Sequence, residues 1–153
     1  MWQRAQTVYL LLLVIVLSLT VVFPFANYSS GEEYVRFNIF GLSENKGNVD
    51  TWFPYYITIA LSVGLSLFSV TQFKNRKRQL NLGKINYFVI LLTIIMLFID
   101  ITSVAGNLNM SKEDINYDIV GFMLPVAAMA FQFLANRGIK KDEALVKSMD
   151  RLR

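Results

Sequence analysis

The chain has 153 residues, 54% hydrophobic, 14% aromatic and only 17% charged, with a mean hydropathy of +0.43 and a net charge of +4. A soluble domain carries about 25% charge. His and Cys are both absent, which excludes thiolate and imidazole zinc sites, disulfides, a Cys nucleophile and any general base built on imidazole.

Four apolar runs divide the chain, at about 8–25, 52–73, 87–105 and 117–134. Each holds roughly 18–22 residues, which as a helix matches a hydrocarbon core about 30 Å thick. The polar sequence left over is too short to cover four such helices in water. The runs are continuous, as in Leu10-Leu11-Leu12-Leu13-Val14-Ile15-Val16-Leu17. Barrel strands would alternate in polarity, so helices are expected. The expected fold class is an all-α membrane protein: one domain, 1–153, forming a four-helix transmembrane bundle.

The first run follows Arg4, as in a signal peptide, but it exceeds the usual apolar stretch of about 7–15 residues. Its exit, Pro24-Phe25-Ala26-Asn27, offers no convincing pair of small residues before a cut, so it is read as a retained span. The outer segment 26–51 comes next. Glu33-Tyr34-Val35-Arg36-Phe37-Asn38-Ile39-Phe40 predicts a strand, with turns at Gly41 and Gly47. A hairpin there would cap the bundle as a lid or a partner-binding surface.

Pro54 suits the first turn of the second run. That run spaces Ala60 and Gly64, and Ser62 and Ser66, four apart, a small-residue face over which helices approach closely. The third run holds Asp100, the only acid well inside a span, with Asp118 at the outer rim. Asp100, with Thr102 and Ser103, is the candidate intramembrane polar site. Alternatively, Asp100 bonds a neighbouring helix and serves packing. One acid is too few for an intramembrane aspartyl protease. In the loop 106–116, Ser111-Lys112-Glu113-Asp114 fits a capped interfacial helix. Pro125 should kink the fourth run. In the tail 135–153, Gly138 is read as a helix break, followed by a cytoplasmic helix whose candidate docking face is Leu145, Met149 and Leu152.

Charge sets the orientation. Twelve basic residues lie in the N-terminus, the 74–84 link and the tail, and only Arg36, Lys46 and Lys112 lie elsewhere. The positive-inside bias places both termini and the link in the cytoplasm, making the inner face +9 and the outer face −4. That bias accounts for the basic pI without a nucleic-acid partner. Trp52, Tyr55, Tyr56 and Tyr117 mark the outer boundary, and Trp2 and Tyr87 the inner one.

Two stretches carry a resemblance. The opening, Gln3-Arg4-Ala5-Gln6-Thr7-Val8-Tyr9-Leu10-Leu11-Leu12, and the close, from Leu134-Ala135-Asn136-Arg137-Gly138-Ile139-Lys140-Lys141 to Arg153, resemble a family of small four-span bacterial inner-membrane proteins described only as a domain of unknown function. Trp2 departs from the aliphatic residue expected there. The resemblance implies a Gram-negative inner-membrane setting and brings no activity, cofactor or site residue. The topology also resembles that of claudin-type tetraspans, without their paired loop Cys, by fold-level analogy alone.

The expected function is therefore that of a non-enzymatic inner-membrane protein, an accessory or scaffold subunit of a larger membrane complex. Its expected partners are the lipid bilayer and other membrane protein subunits; no cofactor, metal site or catalytic residue is expected. The competing reading is a small transporter, channel or lipid-binding protein using Asp100 and the Pro125 kink. An enzyme acting on a bound lipid or quinone is a third.

Overall fold

The computed structural model describes residues 3–30, 33–44, 47–49, 53–73, 75–107 and 115–150. Helix α1, Gln3–Leu19, stops six residues before the expected end of the first run. The Thr20 hydroxyl donates to the Leu17 carbonyl at 2.6 Å, and the Thr20, Val21 and Val22 amides close short i→i−3 bonds. Pro24 then prevents any return to helix, and the Phe25 amide joins the Phe37 carbonyl at 2.8 Å.

The outer segment is larger than a hairpin. Strands β1 (Ala26–Ser30), β2 (Glu33–Asn38), β3 (Gly41–Glu44) and β4 (Gly47–Val49) follow one another, and β5 (Ile115–Tyr117) joins from the second loop. The sheet is antiparallel, in the order β4-β3-β2-β1-β5. Asn38 pairs with Gly41 across a two-residue turn, and Gly41 takes φ 118°, a conformation that glycine accepts without strain. β5 pairs Ala26 with Tyr117, so the two loops form one cap.

Three further helices occur among the described residues: α2 (Tyr55–Thr71), α3 (Arg76–Asn107) and α4 (Ile119–Asp150). Asp118 caps α4, its Oδ1 accepting from the Val120 and Gly121 amides at 3.2 and 3.3 Å. The cap expected at 111–114 lies outside the described residues. α4 runs unbroken through Pro125 and Gly138. Four residues before Pro125, where the ring would meet a carbonyl, stands Gly121.

Gly138 does not end the helix. It lets α4 approach α1: a Cβ built there would lie 3.0 Å from Gln6 Cγ. The tail is accordingly a continuation of α4. Leu145 is exposed, and the side chains of Met149 and Leu152 lie outside the described residues.

Each helix packs on its neighbours in the ring α1–α2–α3–α4 and back to α1. The buried positions step by four and three: Gln6, Leu10, Leu13 and Leu17 on α1; Tyr55, Ile59, Ser62, Ser66 and Ser69 on α2; Gln79, Gly83, Asn86, Ile90, Thr93 and Leu97 on α3; Gly121, Pro125, Ala128, Gln132, Ala135 and Ile139 on α4. That spacing is the seam of left-handed helix packing. The outward faces carry large apolar side chains, among them Val8, Ile15, Leu61, Phe88, Ile95 and Phe133. Among the described residues, two helices are long and apolar enough to cross a membrane, over Arg76–Ser103 and Ile119–Val146; α1 and α2 are shorter apolar helices.

Candidate functional site

The interior changes character along the bundle. At the sheet end the seam is aromatic and aliphatic. Tyr55 packs its ring on Phe53, Phe37 and Phe25, with centroids 5.0, 5.6 and 6.0 Å away. At the opposite, basic end the seam turns polar, and there α2, α3 and α4 share a hydrogen-bonded cluster.

Asn86 is its centre, 1% exposed on α3. Its amide donates to Ser66 Oγ on α2 at 2.8 Å and to Gln132 Oε1 on α4 at 2.7 Å. Ser66 in turn donates its own hydroxyl to the Ser62 carbonyl at 2.9 Å. Gln132, fully buried, donates to Asn136 Oδ1 at 3.0 Å, and Asn136 donates to the Gly83 carbonyl at 3.1 Å. Gly83 is required for this approach, because a Cβ there would lie 2.0 Å from Asn136 Oδ1. Ser62 Oγ, Ser69 Oγ and Asn86 Oδ1 stand buried beside the cluster with no hydrogen-bond partner among the described residues. Amides and hydroxyls donate and accept hydrogen bonds but do not ionise near neutrality. The cluster can therefore orient helices or hold a small polar guest, and cannot act as a general acid or base.

Asp100 lies elsewhere, at the sheet end. Its Oδ2 accepts from the Tyr55 hydroxyl at 2.6 Å, which ties α3 to the first residue of α2. Beside it, the Tyr28 hydroxyl from β1 donates to the Ile101 carbonyl at 3.1 Å. Thr102 is exposed and bonds its own helix, at the Phe98 and Ile99 carbonyls, and Ser103 is also exposed. The three residues expected to form one polar site are thus not brought together. An apolar groove of about 250 Å³ between α3 and α4 is lined by Phe98, Ile101, Thr102, Ile119, Phe122 and Met123, and by neither Asp100 nor Pro125.

The small-residue face of α2 divides. Ser62 and Ser66 turn inward to the cluster, whereas Ala60 and Gly64 are exposed, with open space where a Gly64 Cβ would stand. Among the described residues, no three His, Cys, Asp or Glu side chains gather as a metal site.

Sequence reasoning missed Asn86, Gln132 and Asn136. Asn86 fell one residue before the third run, and Gln132 was passed over inside the fourth. Stepping by four and three, extended one residue before the third run, places Asn86 and Gln132 on the seams; Asn136 lies one residue off the α4 seam.

No curated protein matches this chain. The family described as Domain of unknown function (DUF4293) matches residues 2–152, nearly the whole length, and the chain belongs to that family.

Proposed function

We propose that the protein is a four-span inner-membrane protein without enzymatic activity, acting as an accessory or scaffold subunit of a larger membrane complex. The observation that carries this reading is that large apolar side chains face outward on all four helices while polar side chains are buried in the seam. Side chains such as Phe88, 67% exposed, face outward, while Asn86 and Gln132 are buried. Water would reverse that arrangement, and lipid favours it.

The short helices fit the same reading. Seventeen residues in α1 and in α2 give about 25 Å each, enough with modest bilayer thinning. Basic residues gather at the end away from the sheet, which supports a cytoplasmic position for both termini and the α2–α3 link and an outer one for the sheet.

The subunit role is supported by the outward Ala60 and Gly64, four residues apart with open space before them. Small residues at that spacing admit a second helix at close range. The test is purification from native membranes in mild detergent, with Gly64→Leu in parallel. The reading predicts a stoichiometric membrane-protein partner that Gly64→Leu releases while the monomer stays folded. A clean monomer from the unaltered protein contradicts it.

A further inference from the structure

We propose that the groove between the end of α2 and the start of α3 binds the headgroup of an anionic phospholipid of the inner leaflet. The inference rests on the membrane reading above and adds a ligand to it. The groove has a volume of about 240 Å³ and is lined by Phe68, Gln72, Arg78, Asn81 and Leu82. Its chemistry is graded along the bundle. Phe68 and Leu82 lie toward the apolar span. Arg78 starts one helical turn nearer the basic end than Leu82, about 6 Å along the axis. Gln72 and Asn81 add amide donors to the lining. An acyl chain fits against Phe68 and Leu82 and a phosphodiester against Arg78, where a guanidinium supplies paired donors to two oxygens.

Charge selects an anionic occupant. The stretch from Gln72 to Lys84 carries Lys74, Arg76, Lys77, Arg78 and Lys84, and no acid occurs anywhere between Asp50 and Asp100. Asn75 Oδ1 accepts from the Arg78 backbone amide at 3.3 Å, which fixes the first turn of α3 while leaving the side chain free to reach the groove. The Arg78 guanidinium has no ion-pair partner among the described residues. Arg76, by contrast, is drawn across to the Asp142 carbonyl. A second groove at the same end, between α1 and α4, also holds two cations, Arg137 and Lys141. Asp142 lines it with them and offsets their charge. The α2–α3 groove has no such acid.

The test uses the full chain purified in detergent and titrated with phosphatidylglycerol or phosphatidylcholine of matched acyl chains, with bound lipid counted by native mass spectrometry. Arg78→Gln is compared with Lys77→Gln, an equal loss of charge outside the groove. Both residues are exposed, so both variants keep the fold. The expected result is phosphatidylglycerol binding about tenfold tighter than phosphatidylcholine, lost in Arg78→Gln and kept in Lys77→Gln. Excess inorganic phosphate is expected not to displace the lipid, because the acyl chain holds it. Equal binding of the two lipids, equal effects of the two substitutions, or full displacement by phosphate would each overturn the proposal. The membrane reading fails separately, if the chain stays dispersed and folded without detergent.

Discussion

Asn86 on α3 donates its amide to Gln132 on α4 at 2.7 Å, with both side chains at most 1% exposed. This bond joins two long helices at the level where α2 also enters, through Ser66. In an apolar surround such a bond fixes register, because sliding one helix by a residue would strand two buried amides. Asn86→Ala should destabilise the bundle by about 1 kcal/mol. Asn86→Leu with Gln132→Leu should cost less than the two single changes added together. Reversible unfolding in mixed micelles measures both.

Gly121 should tolerate no side chain. A Cβ there would lie 1.7 Å from the Pro24 carbonyl oxygen and 2.6 Å from its carbon, so it would meet rigid backbone rather than a movable side chain. Gly121→Ala is expected to cost about 1–3 kcal/mol or more through forced separation of α4 from the α1–β1 link. Gly64→Ala, with open space before it, should leave stability unchanged or raise it by up to about 1 kcal/mol. Thermal unfolding of the two variants in the same detergent makes the comparison.

Tyr55→Phe keeps the ring packing on Phe25, Phe37 and Phe53 but removes the donor to Asp100. A loss of about 1–3 kcal/mol is expected. Asp100→Asn retains an acceptor oxygen for Tyr55 and should cost less. The competing transport reading instead requires Asp100→Asn to abolish a measured flux or growth phenotype. The subunit reading predicts normal growth and an intact complex.

Gly138→Val should weaken the α1–α4 contact, because the new side chain would press on Gln6. Gln6 also donates to the Asp142 carboxylate, so its displacement breaks a second tie between these helices. Faster proteolysis of the basic end in detergent, with the sheet end still protected, is the expected outcome.

The four helices were legible in the sequence because each is written as a continuous apolar run. What the runs hid was the direction of each side chain. Ser62 and Ser66 read as small residues for close packing, yet both turn inward, Ser66 joining the cluster by its hydroxyl and Ser62 by its carbonyl, and Ala60 and Gly64 on the same run face outward. Polar side chains hold the inside of this bundle, so apolarity alone could not find its seam. The strand at Glu33–Asn38 was readable from local alternation. The pairing of Ala26 with Tyr117 was not, because it joins residues far apart in the chain. Gly138 carried the local signature of a helix end, and the tertiary approach of Gln6 overrode it.

If all four helices cross the bilayer, Arg36 lies on one side and Lys77 and Lys140 on the other, and the absence of Cys from the chain allows a direct measurement. Single cysteines at Arg36 on β2, Lys77 on α3 and Lys140 on α4, all exposed positions, are reacted with a membrane-impermeant maleimide in sealed spheroplasts and again after lysis. The predicted result is labelling at Arg36→Cys alone in sealed spheroplasts, and at all three positions after lysis. Labelling at Lys77→Cys before lysis would place the α2–α3 link outside and contradict the four-span arrangement.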